Sequence, residues 1–325
     1  MELTTSSVIR EQLTHRRDKL NDAITATGRR TELANLLSEV DAALARLDTS
    51  TYGRCEVCHD PIEPDRLMAD PLVRFCLDHL SPDEQRSLEQ DLELAARIQR
   101  GLLPDRHLRI DGWTLAYHYQ PARVVSGDYC DIIPSEGGGF HFLLGDVSGK
   151  GVAASMLMSN LHAMFRTLVS LQMPLPALME RASRVFCEST LPTHYATLVC
   201  GRAAPGGEVE FCNAGHLPPI VRGRTGATVL ASSALPLGMF CSEQFGVQRL
   251  RLDPGDTMIV FSDGLTDAEN ASGAEYGVER LTSFVREHAS LLPADLIARC
   301  LREVTSHAGR ARFDDDVTLL AIRAA

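Results

Sequence analysis

Apolar residues recur at helical intervals along the first fifty positions. Ile9, Leu13, Leu20 and Ile24 are followed by Leu33, Leu37, Val40, Leu44 and Leu47, and together they draw one stripe on a helical face. The spacing predicts helix over residues 1–47, with Gly28 as the break that folds it into a hairpin. Two partners suit such a stripe: an adjoining module of the same chain, or a second copy in a coiled coil. Residues 48–80 are rich in Pro and Cys and have no room for a hydrophobic core, so something other than burial must hold them. A second helix is predicted over residues 81–104. Ser81 is its N-cap, Pro82 its first helical position, and Glu84 lies three residues after the cap. Leu88, Leu92, Ala95, Gln99 and Leu102 share one face of it, and Pro104 ends it.

From residue 105 to 325 the pattern changes. WTLAYHYQ (113–120) and FHFLLGDV (140–147) read as strands, and two helical stretches follow at 152–169 and 177–189. Further strands are predicted at 195–203, 208–215, 245–252 and 257–264, helices at 277–288 and 294–306, and a last strand at 316–324. Strands, helices, strands, helices and a strand make an α+β pattern, which suits two antiparallel sheets with helices packed outside.

Composition narrows the function. Net charge is −11 with Lys and Arg scattered, which argues against nucleic-acid binding through a basic footprint and fits a domain that gathers carboxylates around cations. No apolar run is long enough to span a bilayer, and the opening residues lack the apolar stretch and cleavage site of a signal peptide. Three of the nine cysteines fall in one short segment and six are dispersed. That distribution fits a reducing cytoplasm and one zinc site better than a disulfide framework.

Two residues separate Cys55 from Cys58 and Cys76 from His79, and 17 residues separate the pairs. Two such knuckles at roughly 15 to 20 residues' separation are a structural zinc signature. Four soft ligands close a tetrahedral shell around one Zn²⁺, and the ion supplies the folding energy the segment lacks. The run DTSTYGRCEVC (48–58), followed by Pro61, Arg66, Pro71 and Cys76, resembles the DksA/TraR zinc-finger family. Two departures stand out. His79 occupies the fourth ligand position where that family usually has Cys, and residues 1–47 lack the acidic tip that polymerase-binding members carry. The resemblance therefore implies a sensing or docking module.

Four aspartates stand beside predicted strands: Asp128 in SGDYCD, Asp146 in LLGDVSGKG, Asp263 in VFSDG and Asp315 in FDDDVT. Gathered together, such carboxylates repel one another unless divalent cations neutralise them, and an all-oxygen donor set favours magnesium or manganese. Their order resembles the PPM-type protein phosphatases, most closely the SpoIIE/RsbU branch. The matching stretches are RIQRGLLP (97–104), SGDY (126–129), GDVSGKG (145–151), NAGH (213–216), PLG (236–238), SDGLTD (262–267) and DDVT (315–318). The resemblance implies a PPM-type fold, with two antiparallel sheets face to face and helices on both outer sides. It also implies hydrolysis of phosphoserine or phosphothreonine on a signalling protein, usually a phosphorylated anti-sigma-factor antagonist, by a water activated between two Mn²⁺ or Mg²⁺ ions. Asp146 would bridge the ions, with the Val147 carbonyl as a further ligand. Asp263 and Asp315 would complete the first ion, Asp128 would hold water on the other side, and Asp316 would support them.

Other residues attract attention. Arg123 lies five positions before Asp128, where some relatives place a phosphate-binding arginine, but it reads as an exposed arginine. His216 reads as part of a structural turn in preference to a general acid. No covalent intermediate is needed, so Cys130 is not a candidate nucleophile. The expected organisation is a helical segment (1–47), a zinc finger (48–80), a control helix (81–104) able to pair in a homodimer, and a phosphatase domain (105–325). The rival reading is a transcription-associated zinc-finger protein that uses the phosphatase fold as a scaffold. An intact set of aspartates favours the enzyme.

Overall fold

The computed structural model describes the chain apart from residues 1–2, 28–29, 50, 64–65, 68–69, 81, 192, 233, 289 and 310–312. The expected break at Gly28 and the expected cap at Ser81 lie outside the described residues. The chain divides into two compact units, Met1–Asp91 and Leu92–Ala325.

In the first unit, α1 (Leu3–Thr27) and α2 (Arg30–Asp48) pack along each other. Arg10 of α1 reaches Asp48 at the last position of α2, 2.8 Å away, so the helices run antiparallel. Ile9, Leu13 and Leu20 from α1 and Val40, Ala43 and Leu44 from α2 are buried in one cluster with Tyr52, Ile62, Leu67 and Val73. The apolar stripe is thus covered by the helices' own neighbouring segment. The Tyr52 hydroxyl donates to the Pro71 carbonyl at 2.8 Å, and the Cys55 N–H to the Asp60 carbonyl at 2.9 Å. Among the described residues of this segment, hydrogen bonds of this kind, ion pairs such as Arg74 to Glu56, and this one small cluster are the contacts that hold it.

Helix α3 (Pro82–Leu102) runs through the division between the units. The second unit holds eleven strands among the described residues, and every pair is antiparallel. Six form one sheet, in the order β1 (His107–Ile110), β2 (Trp113–Gln120), β11 (Val317–Ala324), β10 (Thr257–Phe261), β7 (Ile220–Gly223), β8 (Gly226–Val229). Five form the other: β3 (Asp128–Pro134), β4 (Phe140–Val147), β5 (Ala196–Ala203), β6 (Glu208–Ala214), β9 (Gln248–Arg251).

The alternation along β2 and β11 shows how the layers stack. Leu115 and Tyr117 of β2, with Leu320 and Ile322 of β11, enter a core shared with Phe142, Leu144, Val199 and Phe211 of the second sheet. Ala116, Leu319 and Ala321 point the other way, into a core with α7 (Gly277–Glu287) and α8 (Pro293–Ala308). On the outer side of the five-stranded sheet lie α4 (Val152–Val169) and α5 (Leu175–Ser189). The order helix, sheet, sheet, helix follows from burying both faces of each sheet. Arg166 of α4 fastens its helix to β3 by placing Nε and Nη2 on the fully buried carboxylate of Asp131, at 2.8 and 2.7 Å. Such a two-pronged contact fixes both position and orientation.

Strand β3 and one pair of cysteines are among the features that depart from the sequence reading. Strand β3 carries no alternating pattern because its first six residues are all buried, and a period of two is legible only when one face meets water. Cys187 and Cys241 are joined by a disulfide across 54 positions of sequence, whereas the cysteine distribution reads as one zinc site in preference to a disulfide framework. The other seven cysteines are free.

Candidate active site

The aspartates converge at one end of the two facing sheets. Asp128 opens β3 and stands directly opposite Asp146 near the end of β4. On the other sheet, β10 ends at Phe261, and Asp263 begins the one-turn helix α6 (Asp263–Thr266). Asp315 lies two residues before β11, the antiparallel neighbour of β10. Asp146, Asp263 and Asp315 line a cleft of about 620 Å³, together with Asp267 and Asp316. The turn after β10 needs glycine: a Cβ on Gly264 would come within 2.2 Å of the Asp316 carbonyl oxygen. This close approach brings the Asp263 and Asp315 segments side by side.

Asp128 sits behind the cleft and is 1% exposed. Its Oδ2 accepts hydrogen bonds from the Ser262 hydroxyl at 2.8 Å and from the Thr318 hydroxyl. Asp316 has a second task, accepting from the Ala122 N–H at 2.7 Å and the Gly127 N–H at 2.9 Å, which pins the segment before Asp128. Gln99 near the end of α3 grips the same segment from the other side. Its amide donates to the Ser126 carbonyl at 2.7 Å and accepts from the Ser126 N–H at 3.0 Å. Sequence reasoning found the aspartates but not these contacts, although Ser262, Thr318 and Gln99 all lie in the motifs that were singled out.

Burial pushes the Asp146 carboxyl up to about 7, and the charges of Asp263, Asp315 and Asp316 add to the effect. Burial, then the charge of Asp315, also raises Asp263. Asp128 is raised well above the usual carboxylate range by burial and by Asp146. Without cations Asp128, Asp146 and Asp263 resist ionisation, as expected of carboxylates in an oxygen site built for cations. The geometry fits that chemistry. A Cβ on Gly127 would lie 3.1 Å from Asp146 Oδ1 and 3.2 Å from the Val147 carbonyl oxygen, so glycine keeps open a small space faced by both atoms.

The raised pKa of Asp146 has a consequence for stability. Between its ordinary value near 3.8 and about 7 the folded chain holds a proton that the unfolded chain has released. The metal-free protein therefore loses stability as pH rises through that window. His216 acts in the opposite sense, because burial lowers it from 6.5 to about 4. Thermal melts in chelator, comparing wild type with Asp146→Asn, isolate the carboxylate. Wild type should lose melting temperature relative to the variant between pH 4 and pH 7. Parallel profiles would contradict this.

His216 is 6% exposed and tied on both sides. Its Nε2 lies 3.0 Å from the Phe261 carbonyl, which can only accept, so Nε2 carries the hydrogen. Nδ1 is then left to accept from the Thr197 hydroxyl at 2.9 Å. The histidine thus bridges β5 and the end of β10, one sheet to the other, and has no proton to spare. Arg123 is exposed, in the connection between β2 and β3, and does not line the cleft. Cys130 is buried, and burial raises its thiol well above the usual range.

In the first unit, the ligand atoms of Cys55, Cys58, Cys76 and His79 all lie within 4.8 Å of one another. Cys58 Sγ and Cys76 Sγ are 3.8 Å apart, and Cys76 Sγ is 3.3 Å from His79 Nδ1. Two sulfurs about 2.3 Å from one tetrahedral ion stand at roughly that separation. The donor set fits a structural zinc.

Residues 136–325 match the family model of Stage II sporulation protein E (SpoIIE), and residues 50–78 match the prokaryotic dksA/traR C4-type zinc finger. His79 falls just beyond the second match. The chain is 25% identical over 261 residues to Protein IcfG of Synechocystis sp., covering 71% of this chain and 41% of IcfG. It is 21% identical over 244 residues to the phosphoserine phosphatase RsbU of Bacillus subtilis, covering 74% of this chain and 71% of RsbU. Among solved structures, the SiaA-PP2C domain of Pseudomonas aeruginosa superposes with a TM-score of 0.64 at 18% identity, over 75% of this chain and 99% of that one. The RsbU and RsbW domains of Rv1364c from Mycobacterium tuberculosis give 0.57 at 25% identity, over 68% of this chain and 61% of that one.

Proposed function

Because the chain belongs to the SpoIIE family through residues 136–325, we propose that it is a metal-dependent protein phosphatase acting on phosphoserine or phosphothreonine of a signalling protein. The observation that carries this reading is the meeting of Asp146, Asp263 and Asp315, drawn from two sheets, in one open cleft. Two Mn²⁺ or Mg²⁺ ions held there would lower the pKa of a water toward neutrality and stabilise charge on the phosphoryl oxygens.

The residues of the chain do the rest. We assign Asp146 to both ions, the Val147 carbonyl to one of them, and Asp263 and Asp315 to the first. Asp128 keeps Oδ2 on the Ser262 and Thr318 hydroxyls, and we assign its other oxygen to orient water. Asp316 and Gln99 hold the Ser126–Gly127 backbone in place from opposite sides. His216, neutral and bonded on both nitrogens, serves as a brace between the sheets and not as a proton donor.

RsbU is named a phosphoserine phosphatase, which supports phosphoserine as the ester cleaved; from the motif resemblance we propose a phosphorylated anti-sigma-factor antagonist as the substrate. No helix among the described residues is long and apolar enough to cross a membrane, and we place the protein in the cytoplasm. We assign Cys55, Cys58, Cys76 and His79 to one structural zinc. Of the face read for pairing on α3, Leu88 is exposed, Leu92, Ala95 and Leu102 are half-buried and Gln99 is buried. With Leu94 and Ile98 also exposed beside it, we propose a homodimer paired through the exposed part of this helix. Sedimentation at working concentration should show dimer, and monomer alone would contradict the pairing.

The substrate class is tested by comparing phosphoserine and phosphothreonine proteins with a phosphotyrosine peptide and small sugar phosphates, in manganese. Selective release from the first two is expected. Equal or better turnover of the sugar phosphates would make the chain a small-molecule hydrolase instead.

A further inference from the structure

Among the described residues, the cleft is lined by five carboxylates, those of Asp146, Asp263, Asp267, Asp315 and Asp316, and by one Lys or Arg side chain, Lys150. Lys150 Nζ donates to Asp315 Oδ2 at 2.7 Å, yet the side chain remains 60% exposed at the mouth of the cleft. The same lysine borders the smaller hollow beside it, which is lined by Asp267, Glu269 and Asp314. It sits between Gly149 and Gly151, whose φ angles of 102° and 76° lie in the region that favours glycine. Nothing lies within 4 Å of where a Cβ on either glycine would stand, so backbone conformation and not crowding selects them. The loop is anchored at its ends. Ser148 and Tyr195 exchange two hydrogen bonds, and α4 begins at Val152.

From this placement we propose that Lys150 is the phosphate-recognition residue of the cleft: its ammonium contacts Asp315 in the free protein and the phosphoryl oxygens of substrate or product in the complex. The inference rests on the phosphatase reading and adds to it the group that recognises the dianion. Charge balance makes the argument. Five lining carboxylates face the entering phosphate, two divalent ions would offset four of those charges, and the ammonium offsets the fifth. Without Lys150 the dianion meets a cleft that still repels it. A lysine suits the task because its flexible stem carries a compact charge with three donors, which can leave one oxygen acceptor for another without rearranging the backbone. Arg123 is exposed and does not line the cleft.

The test uses the full chain and the variants Lys150→Ala and Lys150→Arg. Turnover of a phosphoserine peptide, competitive inhibition by inorganic phosphate, and manganese affinity from the free-Mn²⁺ resonance signal are measured side by side. A charge-assisted contact to phosphate predicts that Lys150→Ala raises both KM and the inhibition constant for phosphate by about tenfold. In that variant kcat should change little and manganese should bind as tightly as before or more so. Lys150→Arg should recover most of the loss. An unchanged phosphate inhibition constant in Lys150→Ala overturns the proposal, whatever happens to manganese affinity. Weaker manganese binding in that variant also overturns it, since the lysine would then be shaping the ion site. If wild type itself releases no phosphate with manganese, the phosphatase reading has failed, whereas an active wild type matched by Lys150→Ala removes Lys150 alone.

Discussion

Asp146→Ala and Asp263→Ala should each lower manganese-dependent phosphate release by at least about two to three orders of magnitude, the scale seen when one preorganised electrostatic stabiliser is removed from an active site. The expectation follows from where the two carboxylates stand. Asp146 comes from the five-stranded sheet and Asp263 from the turn after β10 in the other, so neither can replace the other. Both resist ionisation in the free protein, Asp146 through burial and the charges of Asp263, Asp315 and Asp316, Asp263 through burial and Asp315. Removing either relieves repulsion as well as a ligand. The variants should therefore fold at least as well as wild type in chelator while losing manganese affinity. Calorimetric titration with Mn²⁺ and a phosphate-release assay check both halves. Activity retained in either folded variant would sink the assignment of these residues to the ions.

Cys58→Ser should empty the zinc site and unfold Met1–Asp91 while leaving Leu92–Ala325 folded. The first unit has one small buried cluster, to which Cys55 and Cys76 themselves contribute. Binding of a structural zinc is worth about 10–16 kcal/mol in small fingers near neutral pH, more than such a cluster supplies. The second unit has two extensive cores of its own, one between the sheets and one under α7 and α8. Metal analysis should fall from one zinc per chain to none. Limited proteolysis should cut within the first unit and spare the second. A variant that keeps its zinc, or whose N-terminal helices stay protected, would contradict this account.

Much of this architecture was legible before any coordinates, for physical reasons that also explain the gaps. Helix α4 carries its helical period, and the expected and observed limits of α4, β2 and β4 coincide. Strand β3 was not legible, because burial on both faces erases alternation. The four-residue strands β1, β7 and β8 are too short to display a period. The grouping of Cys55, Cys58, Cys76 and His79 was legible because they lie in two local knuckles. The aspartates were legible because each stands in a short motif beside a strand. What sequence could not give is contact across large separations. Lys150 meets Asp315 across 165 positions, Asp316 holds Gly127 across 189, and Cys187 meets Cys241 across 54. These meetings depend on which strands neighbour one another, and no local pattern encodes that.

On the proposed reading, the carboxylate cleft is a cation-dependent site for hydrolysing phosphate esters on protein serine or threonine. The most direct test takes the purified full chain, removes divalent ions with EDTA, and follows inorganic phosphate from a phosphoserine protein before and after manganese is restored. The account predicts no release in EDTA and recovery of turnover on adding Mn²⁺. Release that continues undiminished in EDTA, or no release at any manganese concentration from a folded chain, would contradict it.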